Sequence, residues 1–206
     1  MRLDASYYDE AYFRPGPKSD FSLPFTWEVQ AAASMKAAIK FMTMFHPENA
    51  LDIGCAKGFL CKALLELGID AHGCDISEYA VSNCEPEVKG RLTIADIRDG
   101  LPYLDNSFDL VCAEATLEHI EMEFLPYVAS EIARVSRNHV FIEVPISPDD
   151  KNTPYGDPSH RTYKSISYWI SLFYNQGLLC DVSRSRLDYD AYPYSAIALH
   201  FTKLSG

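Results

Sequence analysis

Three aspartates, Asp52, Asp75 and Asp96, each close a short apolar run, and a turn with two glycines follows the first: Asp52-Ile53-Gly54-Cys55-Ala56-Lys57-Gly58. In open α/β sheets, ligands bind beyond the carboxyl ends of the strands, so acids at those ends face the crevice. Glycine carries no Cβ and lets the backbone pass close to a ligand. A dinucleotide fingerprint is absent. Counting G-x-G-x-x-G from Gly54 puts Ala56 at the second glycine and Phe59 at the third, where close helix–strand packing leaves no room for a ring. Three carboxylates would repel a diphosphate, whereas a cationic ligand carrying a ribose would find in Asp75 an acceptor for its hydroxyls. One aspartate alone would read as a helix cap; three at successive strand ends point to a site.

Histidine titrates near neutral pH and is the usual general base for a hydroxyl acceptor. Two are candidates: His119 in Leu117-Glu118-His119-Ile120, and His160 in Gly156-Asp157-Pro158-Ser159-His160-Arg161. His46, His72, His139 and His200 flank or lie within core elements and receive no role. Asp149, Asp150 and Asn152 offer oxygen ligands to a hard cation, but adjacent acids in a loop are ordinarily just solvated, and no metal is assigned.

The positioning elements alternate. The periodicity predicts a helix from Thr26 to Phe45, with Val29, Ala32, Met35, Ile39 and Met42 as its apolar stripe and Lys36 and Lys40 on the wet face. Strands follow at 50–53, 70–74, 91–95, 108–113 and 139–144, separated by helical patterns at 58–67, 77–83 and 124–135. A long Pro-punctuated loop covers 146–165, a length that usually signals function or disorder. After a helix at 166–173, runs at 178–183 and 195–202 have no helix between them and should pair antiparallel across the loop 185–194. The expected fold is α/β: a doubly wound, mostly parallel seven-stranded sheet with an antiparallel C-terminal hairpin and helices on both faces. Residues 1–48 form an N-terminal arm and helix on the substrate side, and 49–206 the ligand-binding domain. The arm, Tyr7-Tyr8-Asp9-Glu10-Ala11-Tyr12-Phe13, is aromatic enough to pack as a lid, although chain termini are also commonly loose.

With 48% hydrophobic residues in 206, the chain can bury a full core. A net charge of −11 without any basic run argues against nucleic acid as a partner. The six cysteines show no metal-ligand spacing, no apolar stretch is long enough for a membrane span, and no signal-peptide pattern opens the chain. A cytoplasmic location is expected.

Read in order, Asp52-Ile53-Gly54-Cys55-Ala56-Lys57-Gly58, Asp75-Ile76-Ser77, Ala95-Asp96-Ile97, the segment Leu101 to Asp109 and then Leu117-Glu118-His119-Ile120 resemble the class I S-adenosylmethionine-dependent methyltransferases. The resemblance covers about residues 49 to 145, and the terminal hairpin suits the seven-stranded sheet of that family. It implies S-adenosylmethionine as cofactor. Gly54, Cys55, Ala56 and Gly58 would form the loop beneath its methionine part, and Asp52 would order that loop or the ammonium. Asp75 would take the ribose hydroxyls and Asp96 the adenine amino group, with Ile76 and Ile97 flanking the ring. Glu114 would lie near the methionine moiety. Ala56 stands where the family usually has glycine, which is tolerated if φ stays negative. The arm and the segment from Asp157 to Ile170 are similar to methyltransferases of bacterial glycan and natural-product clusters. That implies a small-molecule acceptor, a sugar hydroxyl or amine, with no nucleic acid and no membrane partner; the oligomeric state stays open. Two other readings are a methyltransferase-like binding protein that lacks catalysis, for which Ala56 is the hint, and a nucleotide-cofactor oxidoreductase.

Overall fold

A computed structural model describes residues 3–145, 157–188 and 196–204. Asp149, Asp150 and Asn152 lie outside them. Five strands, β1 (Asn49–Ile53), β2 (Asp70–Asp75), β3 (Leu92–Ile94), β4 (Phe108–Glu114) and β5 (Ser136–Pro145), run parallel in the order β3-β2-β1-β4-β5. β8 (Ala196–Lys203) then joins β5 antiparallel, and β6 (Leu178–Cys180) closes the edge. The chain reverses its direction of travel across the sheet between β1 and β4, so the crevice lies over their carboxyl ends.

The expected sheet is present, with one addition inside the stretch read as the loop 185–194. A further strand, β7 (Arg186–Asp188), also pairs with β8. Its cause is a length mismatch. β6 covers only Phe201–Lys203 of the longer β8, leaving open the edge at Ala196–Ala198 that β7 takes up.

Helices α1 (Trp27–Phe45) and α2 (Phe59–Glu66) cover one face, and α4 (Leu125–Val135) and α5 (Ile166–Tyr174) the other. The short α3 (Glu78–Ser82) follows β2. Helix α1 forms where expected but is rotated from the predicted stripe. Ala38, Phe41 and Phe45 are buried, with Met35 and Met42 of the predicted stripe packed beside them, whereas Val29 and Ile39 are exposed. The helix is apolar on two sides, and the stripe with the larger rings wins because aromatic side chains bury more area; Phe41 meets Phe141 of β5 with centroids 4.8 Å apart. The rotation carries Lys40 inward. Its ammonium lies 4.2 Å from the Phe141 ring and 3.5 Å from Glu114 Oε1, so Lys40 is no wet-face residue.

Candidate active site

The turn after β1 is pulled against β2, because the amides of Gly54 and Cys55 both donate to the Cys74 carbonyl, at 2.8 and 3.1 Å. Gly54 has φ +77°, and a Cβ there would fall 2.2 Å from Thr116 Oγ1. Gly58 has φ +76°, and its Cβ would meet Leu92 and Val88 inside 3.0 Å. Gly58 therefore does the close helix–strand packing that a dinucleotide fingerprint gives to its third glycine. Phe59 instead turns outward from that contact and stacks on Phe25 at 5.0 Å. Ala56 departs from expectation, with φ +48° rather than negative. Its left-handed backbone costs about 1–2 kcal/mol for a residue with a Cβ. The 2.8 Å bond from its amide to Asp75 Oδ2 holds it there.

Asp75 accepts a second amide, that of Ser77, at 2.7 Å on Oδ1. Burial raises its carboxyl pKa, and these two amides oppose the shift. Asp52 is buried beneath the turn, with Cys112 Sγ 3.8 Å from Oδ1. Burial pushes its carboxyl well up, and the charges of Glu114 and Asp75 push it further. Asp96 caps the single helical turn Ile97–Asp99 by accepting the Arg98 amide at 2.9 Å, and the Arg98 guanidinium grips both its oxygens, at 2.8–3.2 Å. Here the ordinary capping role of a strand-end acid is realised. Arg98 is buried and also reaches Glu121, at 2.9 Å, and the carbonyl of Leu3, at 2.6 Å.

These residues border a cavity of about 240 Å³. Of the residues singled out from sequence, Gly54, Ala56, Asp75, Ile76, Asp96, Ile97, Glu114 and His119 line it. Asp52, Cys55 and Gly58 stand behind the wall and shape the turn. Buried carboxylates crowded beside an apolar cleft favour an occupant that carries positive charge, hydroxyl groups and a flat apolar ring, which is the chemistry of S-adenosylmethionine.

The opposite wall is the arm. Tyr8, Tyr12, Phe13, Phe21 and Phe25 face the cavity, and Tyr12 and Phe13 are buried against Ala80 of α3. The Ser77 hydroxyl, which caps α3, donates to the Tyr8 carbonyl. The arm thus packs as an ordered element.

Both candidate histidines meet at one end. The segment 157–163 docks on 118–120, with the amides of Arg161 and Thr162 donating to the Glu118 carbonyl at 2.7 and 3.0 Å. This brings the His119 and His160 rings to 4.7 Å. Asp157 accepts the Tyr12 hydroxyl at 2.9 Å, together with the amide and hydroxyl of Ser159. With its proton given to Asp157, Ser159 Oγ accepts from His119 Nδ1 at 2.8 Å. The neutral ring then keeps its lone pair on Nε2. Burial, reinforced by the neighbouring His160, lowers the His119 pKa to about 4. His160 Nδ1 lies 3.0 Å from Tyr163 Oη. A second cavity of about 330 Å³ adjoins the first and shares Tyr12, Phe21 and Ala115 with it. Glu118, Glu143, Asp20 and His160 line this second space.

Sequence reasoning missed Arg98, Thr116, Lys40 and Ser159. Ser159 had a readable signal, since it sits directly before His160 two residues after an acid. Arg98 had one too, two residues after Asp96, whereas Thr116 and Lys40 depend on contacts between distant segments.

Residues 51–142 match the family described as a methyltransferase domain. Over about 100 residues the chain is 32% identical to the probable pectin methylesterase CGR3 of Arabidopsis thaliana, covering 47% of this chain and 39% of that one. Norajmaline N-methyltransferase of Rauvolfia serpentina is 28% identical over 58% of this chain and 44% of its own. Ubiquinone biosynthesis O-methyltransferase of Methylococcus capsulatus is 33% identical over 48% and 42%. The chain spans less than half the length of these curated relatives. Magnesium protoporphyrin IX methyltransferase of Synechocystis PCC 6803, solved with bound S-adenosylmethionine, shares the fold with a TM-score of 0.65 at 15% identity, covering 85% of this chain and 81% of that one. Residues 51–142 thus carry the similarity to a methyltransferase domain, on a fold shared with a protein solved with bound S-adenosylmethionine.

Proposed function

We propose that this chain moves a methyl group from S-adenosylmethionine to an oxygen or nitrogen of a small polar acceptor. The observation that carries the reading is the pair of adjoining cavities, one walled by strand-end acids and the other by acids and a histidine, with His119 and His160 meeting between them. In the first, Asp75 would take the ribose hydroxyls. Ile76 and Ile97 would flank the adenine, whose edge would meet an Asp96 already neutralised by Arg98. Glu114 and the Gly54 turn would hold the methionine part, with Asp52 supporting that turn from beneath. When bound, the cofactor supplies a methyl group activated by a sulfonium. What remains for the protein is positioning, and aligned reactants can gain roughly 7–11 kcal/mol. The arm would exclude water from one side. The second cavity would hold the acceptor, with aromatic faces suited to the apolar side of a sugar or a flat metabolite.

The non-catalytic alternative rested on Ala56. That residue keeps the left-handed turn and its bond to Asp75, so the departure from glycine leaves the loop formed. Isothermal titration with S-adenosylhomocysteine, followed by an acceptor screen with methyl-labelled cofactor, tests the reading. Stoichiometric binding and label transfer to a small polyol, phenol or amine are expected. Preferential binding of NAD, or no transfer across a broad acceptor panel, would reject it.

A further inference from the structure

We propose that Glu118, His119 and His160 bind a divalent transition-metal ion at the junction of the two cavities. The inference deepens the methyltransferase reading and rests on it. One ligand atom from each of the three residues lies within 4.8 Å of the other two, and His160 Nε2 stands 3.9 Å from Glu118 Oε1. Donors 2.0–2.2 Å from an ion stand roughly 3–3.5 Å from one another, so the triangle closes with side-chain shifts on the order of 1 Å.

Three features separate this cluster from a chance gathering of polar groups. The donor set is two imidazoles and one carboxylate, which selects first-row transition ions over magnesium or calcium and leaves coordination positions open. The outer supports are also in place. Ligating histidines almost always have their second ring nitrogen fixed by a protein oxygen. Here Ser159, itself held by Asp157, fixes Nδ1 of His119, and Tyr163 meets Nδ1 of His160. With Tyr163 Oη accepting, both rings present Nε2 as the ligand atom. Finally, the side chains of Glu118 and His160 are only 2% and 6% exposed, so the donors are withdrawn from bulk water.

The location gives the ion a task. His119 borders the cofactor cavity, while Glu118 and His160 border the second space. An open coordination position there would hold an acceptor hydroxyl and weaken its O–H bond, the proton leaving to water. His119 then serves as a ligand and not as the base. The acceptor class becomes an alcohol or phenol, since an amine needs no such acidification.

The test uses the untagged full chain, stripped with EDTA and titrated calorimetrically with zinc chloride, beside Glu118→Gln and His160→Asn. S-adenosylhomocysteine is titrated into the same samples. One zinc equivalent should bind, and either substitution should weaken it by at least about 100-fold while the nucleoside affinity holds. X-ray absorption of zinc-loaded wild-type protein should show two imidazole ligands, a readout that needs no variant to fold. Failure to bind zinc, wild-type zinc affinity in both variants, or fewer than two imidazoles overturns the site. Zinc binding without any S-adenosylhomocysteine binding would instead reject the methyltransferase reading and leave the metal site standing.

Discussion

The two ends of this crevice are built in opposite ways. The proposed cofactor end is local: the turn at Gly54, Asp75, Asp96 and Glu114 all close adjacent parallel strands, and each is placed by its own strand. The proposed acceptor end is assembled from a distance. Tyr12 reaches Asp157, Ser159 reaches His119, and the amides of Arg161 and Thr162 reach Glu118. A local site inherits its geometry from the sheet, so damage there should destroy binding. An assembled site depends on loop docking, so damage there should spoil turnover while the cofactor still binds.

The largest effect should come from Gly54→Ala, which puts a Cβ against Thr116 on a left-handed backbone. S-adenosylhomocysteine affinity should fall by about 100-fold or more, given at least 1–2 kcal/mol of strain before the clash; calorimetry that finds wild-type affinity would break the comparison. Asp75→Ala should weaken binding almost as much. It should cost stability as well, about 1–2 kcal/mol in denaturant unfolding, because the amides of Ala56 and Ser77 lose their acceptor. Ser159→Ala probes the other end. Turnover should fall about 10–100-fold as His119 loses its anchor, with nucleoside affinity within threefold of wild type. Equal losses of both would mean that the two ends are one unit.

A control lies away from the crevice. Burial, and then His139, lowers the His200 pKa to about 4, while Asp181 and Arg184 also face it with opposing effects. Its pKa is about 6.5 when unfolded, so the unfolded chain binds the extra proton first, and stability should fall as pH drops from about 6.5 towards 4. His200→Gln should flatten that slope by on the order of 1–3 kcal/mol, read from urea melts across the window, without moving nucleoside affinity. The smallest effect is Ala56→Gly. Relief of strain, partly offset by the freer unfolded chain, should raise Tm by about 2–4 °C.

The same division explains what was legible in the sequence. Strand-end acids and a glycine turn are local patterns, so the sheet and the wall residues Gly54, Asp75, Ile76, Ile97 and Glu114 could be placed from spacing and resemblance. His119 and His160 could be suspected one by one, but their meeting depends on 157–163 docking on 118–120, which no periodicity encodes. The α1 stripe held at Met35 and Met42 but not at Val29 and Ile39, because two apolar faces competed and only the partner, Phe141, decides between them. Lys40 followed that error. Asp96 shows the opposite limit: its place was right, yet the guanidinium two residues later takes up its oxygens.

The contact between Gly54 and Thr116 has an evolutionary consequence. The missing Cβ of one residue is the space occupied by the hydroxyl of the other, and that hydroxyl lies 3.0 Å from the carbonyls of both Ile53 and Glu114. Position 54 cannot gain a Cβ unless 116 loses its branch, and 116 cannot grow in exchange, because glycine has nothing to give up. Among homologous chains, a residue larger than glycine at 54 should therefore come with one smaller than threonine at 116.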